Sequence, residues 1–120
     1  MHDRRDVSVR TVAKKGRRRG GRLRPDRDGK HVELLARSAR MEGVLVTLWP
    51  ATDFGRVYAH EGEEIRMVLE GEVEMDVGGR RYRLKKGDVL WHNSEVPHSL
   101  RNPSRKRARY FVVMAPPSRM

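Results

Sequence analysis

Three side chains in the middle of this chain have the types and the spacing that could bind a divalent metal ion. His60 and Glu64 lie four residues apart, and His98 lies well downstream of them. Two imidazoles and one carboxylate with open coordination positions suit divalent iron, and the same donors suit zinc, nickel or manganese. A His-x-x-x-Glu pair is common in proteins, so a hydrogen-bonded structural trio is the alternative interpretation.

Sequence patterns around these three residues predict β-strands. Polar and apolar residues alternate at 65–69 and 72–77, and the Gly78-Gly79 pair that follows is typical of a tight hairpin turn. The other predicted strands are 31–36, 42–49, a strand that holds Trp91 and His92, and 108–115. Short strands bounded by Gly, Pro or Asn are typical of an all-β sandwich or barrel, and no segment of useful length has helical periodicity.

The alternation also predicts which side chains share a face with the candidate ligand Glu64. Successive strand residues point to opposite sides, so Arg66 and Val68 lie on the same face as Glu64. An arginine inside a small barrel is costly unless it is paired. Arg66 could hold an anionic ligand in a bidentate grip, or it could pair with Glu64 and occupy the carboxylate that the metal would need.

Residues 55–102 contain two groups of residues, rich in glycine, histidine and acidic side chains, whose spacing within each group is characteristic. The first group comprises Gly55, Tyr58, His60, Glu64 and Gly71. The second group comprises Gly87, Asn93, Glu95, His98 and Asn102. Together they resemble the two motifs of the cupin family, a double-stranded β-helix or jelly-roll barrel. Tyr58 stands where that family has its first histidine, and Asn93 and Glu95 stand where it has proline and glycine.

The cupin resemblance implies an all-β jelly-roll barrel of antiparallel strands with a metal site formed by His60, Glu64 and His98. The ion would be iron, zinc, nickel or manganese, although some cupins with this pattern hold no metal. Tyr58 is expected to be a hydrogen-bond donor or pocket wall, because a phenol keeps its proton at neutral pH and is a poor ligand. Trp91 and His92 correspond to a pair that usually lies in the core or lines the pocket.

Four short segments particularly resemble the sensor barrel of XRE-type bacterial regulators, which follows a helix-turn-helix. They are His-Glu-Gly-Glu-Glu at 60–64, Val-Leu-Glu-Gly-Glu-Val at 68–73, Gly-Asp-Val-Leu at 87–90 and Val-Pro-His at 96–98. Residues 1–30 lack apolar residues at helical spacing, so no helix-turn-helix is expected there. The resemblance implies a non-enzymatic sensor or regulatory module that binds a small molecule, a divalent metal, or both.

The alternative is a small metal-dependent enzyme of the oxygenase, epoxidase or isomerase type that uses the same two-His-one-Glu site. In that interpretation Arg66 holds an acidic group of the substrate, and Tyr58 or His92 moves a proton. The ligand-binding residues predicted under either interpretation are Arg66, Tyr58 and His92, and the ligand is expected to be small and anionic. Fold alone does not choose between a sensor and an enzyme.

The charge of the chain is concentrated near its N-terminus. The 27 Lys and Arg residues and 16 Asp and Glu residues give a net charge of +11, and residues 1–30 hold 12 basic and 4 acidic residues. Residues 1–30 are therefore predicted to be a basic arm, residues 31–116 the barrel and residues 117–120 a tail. The segment 14–24 could bind nucleic acid by releasing counterions, although it contains no aromatic residue; a solvated arm is the alternative.

Composition excludes several other classes of protein. The absence of cysteine excludes disulfides, thiolate metal sites and cysteine nucleophiles. No apolar run approaches the ~18 residues of a membrane span, and no export signal is evident, so a cytoplasmic protein is expected.

Residues 7–12 alternate like a strand that could pair with a partner subunit's sheet, and a homodimer is predicted.

Overall fold

The structure is a computed structural model that describes residues 29–117. These residues form strands, turns and loops, with no helix among them, and so none that could cross a membrane. The strands are β1 (Lys30–Arg37), β2 (Glu42–Leu48), β3 (Glu63–Glu70), β4 (Glu72–Val77), β5 (Arg80–Lys85), β6 (Val89–Asn93), β7 (His98–Arg101) and β8 (Ala108–Ala115).

The strands form two antiparallel sheets. The larger sheet has the order β1-β2-β8-β3-β6, and the smaller one has the order β5-β4-β7. The chain crosses from the larger sheet to the smaller one between β3 and β4 and between β6 and β7, and it returns between β5 and β6 and between β7 and β8. The two antiparallel sheets confirm the predicted all-β fold.

Strand β3 shows how the sequence pattern sets the two faces of the larger sheet. Glu64, Arg66 and Val68 are buried, whereas Ile65 and Met67 between them are exposed. The prediction that Glu64, Arg66 and Val68 share one face is therefore confirmed. That face points into the barrel, so the charged side chains of Glu64 and Arg66 lie inside it.

The hydrophobic core lies between the sheets and is built from inward-facing side chains of five strands. Val73 and Met75 of β4 are fully buried, and each such side chain stabilises the fold by about 1.5–3 kcal/mol relative to an exposed one. The other members are Val44, Val46, Leu48, Val68, Leu84, Ala108, Tyr110, Val112 and Met114. Val44, Val46 and Leu48 of the predicted strand 42–49 thus lie in the core, as expected.

Two details differ from the sequence predictions. Strand β1 begins at Lys30 instead of at residue 31, so the Lys30 side chain belongs to the sheet. The prediction that Trp91 lies in the core or the pocket is wrong, because its side chain is 58% exposed on the outside of β6. The predicted strand 7–12 and the basic segment 14–24 lie outside the described residues, and the domain bounds at residues 30 and 116 stay predictions.

Candidate metal centre

The three predicted metal ligands lie close together: His60 comes from the loop before β3, Glu64 from β3 and His98 from β7. The Nε2 atom of His60 is 2.8 Å from Oε2 of Glu64, and the Nε2 atom of His98 is 3.2 Å from the same oxygen. One donor atom from each residue lies within 4.8 Å of the others. Glu64 and His98 are buried, whereas His60 is 34% exposed and forms the solvent-facing side of the group.

The two carboxylate oxygens of Glu64 have different partners. Oε1 accepts a hydrogen bond from Nη2 of Arg66 at 2.9 Å, in an ion pair whose side chains are 4% and 2% exposed. Oε2 faces the two imidazoles and accepts a hydrogen bond from Oγ of Ser94 at 3.0 Å. Of the two roles considered for Arg66, the structure therefore shows the pairing with Glu64. That pairing uses one oxygen and leaves the other directed at His60 and His98.

This environment keeps Glu64 ionised. Burial opposes its ionisation, but the hydrogen bond with His98 and the positive charge of Arg66 outweigh burial and hold the pKa of the carboxyl well below its usual range. Metal binding requires a deprotonated carboxylate, so Glu64 is in the state that a cation needs.

Backbone contacts orient the two imidazoles toward Glu64. Nδ1 of His60 lies 3.2 Å from the carbonyl oxygen of Glu61, and Nδ1 of His98 lies 2.9 Å from that of Val96. A carbonyl oxygen can only accept, so each Nδ1 carries a proton and each Nε2 atom faces Glu64. An imidazole nitrogen this close to a carboxylate oxygen requires a proton or a metal cation between the two atoms.

Two of the three donor separations in the group are compatible with a divalent metal ion. Donor atoms about 2.1 Å from one ion and about 90° apart are separated by ~3.0 Å, and tetrahedral donors by ~3.4 Å. The two distances of 2.8 and 3.2 Å from Glu64 Oε2 are of this size. His60, Glu64 and His98 would thus hold the ion through three donors, leaving coordination positions for a small molecule.

Loops held by backbone hydrogen bonds position the two histidines. The N–H of His60 donates to the carbonyl of Ser94, and the N–H of Ser94 donates to that of Gly62. Gly62 has φ of +108°, and a Cβ there would lie 2.1 Å from the carbonyl oxygen of Ala115, so the turn between His60 and Glu64 requires glycine. Tyr58 and His98 exchange two backbone hydrogen bonds, which join the first loop to β7.

Three further buried side chains pack around Arg66: His92, Met75 and Tyr110. Nη1 of Arg66 contacts Nε2 of His92 at 3.5 Å and Sδ of Met75 at 3.2 Å, and the guanidinium carbon lies 4.8 Å from the ring centroid of Tyr110. The His92 and His98 rings are 4.5 Å apart. Burial lowers the pKa of His92, despite the carbonyl of Asn93 at its Nδ1 and nearby Glu64.

A cavity of about 80 Å³ adjoins the three ligands inside the barrel. Its polar lining includes His60, Glu64, His98, Arg66, Tyr58 and Lys30, and the rest is apolar: Val32, Val44, Val46, Leu100, Tyr110, Val112 and Met114. Tyr58 forms a wall of this cavity. The predicted roles of Arg66, Tyr58 and His92 in ligand binding stay predictions; of these three, His92 is not part of the lining.

Lys30 is the cavity residue that the sequence interpretation missed. Its ammonium donates a hydrogen bond to the hydroxyl of Tyr58 and lies 4.5 Å from that ring's centroid. Lys30 pairs with Leu48 across β1 and β2, on the face that points into the barrel. Continuing the alternation of Val32 one step upstream would have placed Lys30 on that face.

A second, larger space of about 760 Å³ lies outside this cavity. Tyr58 and His60 line both spaces. The outer space is otherwise lined by the loops around Ser38 and Ala59 and by Pro116 and Pro117. We refer to the two as the inner cavity and the outer groove.

Comparisons with known proteins agree with this architecture. The chain is 36% identical over 73 residues to the HTH-type transcriptional regulator PuuR of Escherichia coli, a match that covers 61% of this chain and 40% of that regulator. The structure of TT1209 from Thermus thermophilus matches with a TM-score of 0.70 and 31% identity over 80% of this chain and 91% of that one.

A third match shows the fold alone. It is the cupin domain of an XRE family transcriptional regulator from Enterobacter cloacae, with a TM-score of 0.65 and 21% identity over 75% of this chain and 99% of that one. The family model for the cupin domain matches residues 44–114, which include every candidate ligand and all of β3 to β7. The chain therefore belongs to the cupin family, and its barrel is a double-stranded β-helix.

Proposed function

We propose that this cupin barrel is a sensor module that binds a small molecule at a divalent metal ion held by His60, Glu64 and His98. The observation that carries the proposal is the convergence of two Nε2 atoms on one oxygen of an ionised, buried carboxylate. That arrangement suits a divalent cation, and three protein donors leave room for a ligand.

The similarity to transcriptional regulators supports a sensor. The chain spans 40% of the length of PuuR, so that regulator's own activity is not carried over; what is proposed is a ligand-binding barrel. Arg66 and Tyr58 line the inner cavity beside the metal ligands, and His92 supports both Arg66 and His98. We propose that these residues shape the ligand site.

The proposal predicts one tightly bound divalent ion per chain. The protein, stripped with a chelator and dialysed against zinc, nickel or manganese, is expected to retain one ion per chain, because the donor set and its spacing suit these ions. Elemental analysis of the dialysed protein measures the ratio, and the triple variant His60→Ala, Glu64→Gln, His98→Ala is the matched control. Equal metal content in the two proteins would contradict the metal site.

A metal-dependent enzyme is the second candidate function. The observation that favours it is the same set of open coordination positions next to a cavity that holds Tyr58 and Lys30, two groups that can carry protons. Iron-loaded protein that consumes dioxygen or converts an organic acid catalytically would favour the enzyme over the sensor.

We also propose that the barrel forms a homodimer through the outer face of the larger sheet. Five apolar side chains there are exposed and adjacent across β3 and β6: Ile65, Met67, Leu69, Val89 and Trp91. Contiguous apolar patches of this kind mark interaction surfaces. A chain with a net charge of +11 repels its own copy, so two copies associate best across an uncharged face.

Breaking this face is expected to produce monomers. Ile65 pairs with Trp91 on one side and Val113 on the other, so Ile65→Lys places a charge at the centre of the apolar face. Light scattering is expected to give twice the chain mass for the parent and the single chain mass for Ile65→Lys. The matched control is Val96→Lys, an exposed valine away from the face. A monomeric parent would contradict the dimer.

A further inference from the structure

A cluster of basic side chains lies where β3 ends, whereas the candidate metal centre lies where β3 begins. The segments around the β5–β6 and β7–β8 turns carry five exposed cationic residues there: Lys85, Lys86, Arg105, Lys106 and Arg107. We refer to these five residues as the basic end. Glu70, the last residue of β3, is six positions from Glu64, which corresponds to about 20 Å at ~3.3 Å per residue.

Backbone contacts bring the two basic segments together around the β3–β4 turn. The N–H of Gly87 donates to the carbonyl of Val68, and the N–H of Val68 donates to that of Asp88, so the β5–β6 turn is held against β3. Gly71 packs against the segment before β8, because a Cβ at Gly71 would lie 2.7 Å from the carbonyl oxygen of Arg107. Both basic segments therefore flank the same turn.

The surroundings of Glu70 show that cations outnumber carboxylates at this turn. Nε of Arg107 donates a hydrogen bond to Oε2 of Glu70 at 2.9 Å. That hydrogen bond lowers the pKa of the Glu70 carboxyl, and the charges of Arg107, Arg109 and Lys86 lower it further. Within residues 29–117, four of the five cations of the basic end form no ion pair with a carboxylate: Lys85, Lys86, Arg105 and Lys106.

A buried asparagine fixes the backbone that carries three of these cations. The side chain of Asn102 is fully buried, and its Nδ2 atom donates to the carbonyls of Leu48 at 3.2 Å and Lys106 at 2.7 Å. Its Oδ1 atom accepts a hydrogen bond from the N–H of Ser104 at 3.0 Å. The segment 105–107 is therefore presented by an ordered backbone, so a partner that binds it loses little affinity to the ordering of a loop.

The N-terminal basic segment of the sequence joins the barrel next to the basic end. Leu48 pairs with Lys30 at the start of β1 and with Ala108 at the start of β8. Ala108 directly follows Arg107, so the chain enters β1 near this cluster. Residues 1–28 contain 11 Lys and Arg residues and 4 Asp residues. Their net positive charge is thus attached at the same place.

The chemistry of the basic end fits the phosphate backbone of a duplex. Duplex DNA carries one negative charge per ~1.7 Å of its axis, and cations that displace its counterions supply most of the affinity of non-specific binding. The segments 85–88 and 103–107 contain no aromatic residue on which the bases of a single strand would stack. They also contain no large aliphatic residue that would insert into a lipid surface.

We propose that the basic end is a docking surface for double-stranded DNA, which it contacts through the phosphate backbone without reading the sequence. This role goes beyond the proposed sensor function. It is independent of the candidate metal centre, because the two lie at opposite ends of β3.

The test measures the binding of the full chain to a fluorescently labelled DNA duplex by anisotropy, with a chelator present, between ~50 and ~200 mM salt. The parent is expected to bind with an affinity that falls steeply as salt rises. The triple variant Lys86→Gln, Arg105→Gln, Lys106→Gln is expected to bind about tenfold or more weakly at ~50 mM salt. The slope of its log affinity against log salt is expected to be shallower by about 2 to 3, because each lost phosphate contact removes ~0.9.

The matched control removes three exposed arginines near the other end of β3: Arg37→Gln, Arg40→Gln, Arg80→Gln. The control has the same net charge as the first variant, and its affinity is expected to stay within about twofold of the parent's. Equal losses in the two variants would show attraction to net charge alone and would overturn the proposal. A parent that does not bind the duplex, or that binds single-stranded DNA or phosphatidylserine vesicles more tightly, would also overturn it. The chelator keeps these outcomes separate from those of the metal proposal.

Discussion

Replacing Glu64 with leucine is expected to lower the free energy of unfolding of the metal-free protein by about 3–5 kcal/mol. The substitution leaves the guanidinium of Arg66, which is 4% exposed, without its counter-ion inside the barrel. Removing one member of a buried ion pair costs more than the pair itself contributes, because the remaining charge stays desolvated. Urea denaturation in the presence of a chelator measures the loss without any contribution from metal.

The control for this prediction is the double variant Glu64→Leu, Arg66→Met. Methionine fills much of the arginine's volume without a charge, so the double variant is expected to recover most of the stability that Glu64→Leu loses. Such recovery would assign the loss to the unpaired guanidinium. If the double variant were as unstable as the single one, packing of the Glu64 side chain, and not its charge, would be responsible.

The second large effect is expected on metal affinity. His98→Ala removes one of the three candidate ligands, and we expect zinc binding to weaken by about 100-fold or more, equivalent to ~2.7 kcal/mol. Competition with a chromophoric chelator measures the affinity. The matched control is His31→Ala on β1, which removes a histidine outside the metal-binding group and is expected to leave the affinity unchanged.

His92→Ala distinguishes the ligand set from its surroundings. His92 is buried and contacts the His98 ring, but its Nε2 atom lies 3.8 Å from Glu64 Oε1 and faces Arg66. We expect a loss of zinc affinity of about tenfold, at the lower end of the range for residues that orient ligands without binding the metal. A loss as large as that of His98→Ala would show that the ion sits between His92 and His98.

Most of the strands were predictable because local alternation determines them, although β5 was not among the predicted strands. Strands β4 and β8 were predicted with the bounds that the structure shows, and β3 was extended by two residues at one end and one at the other. The exposure of Trp91 could not be deduced in this way. Alternation places Trp91 and His92 on opposite faces of β6. Which of these faces points into the barrel depends on how β6 pairs with its neighbouring strand, and alternation does not show that.

The grouping of the three candidate metal ligands was predicted from the cupin motifs and could not come from local pattern alone. His60 and Glu64 are close in sequence, but His98 reaches them through the pairing of Tyr58 with β7, a contact between distant segments. Whether Arg66 would pair with Glu64 depended on side-chain geometry inside the barrel. Lys30 was missed because its strand begins one residue before the predicted start, which brings the ammonium to Tyr58.

The unequal exposure of the candidate ligands has a consequence for the order of events. Glu64 and His98 are shielded from solvent, whereas His60 lies at the boundary between the inner cavity and the outer groove. An ion would therefore enter and leave past His60. A small molecule bound in the outer groove against His60 would lie across that route, so in the proposed sensor the exchange of the ion would slow while the effector is bound.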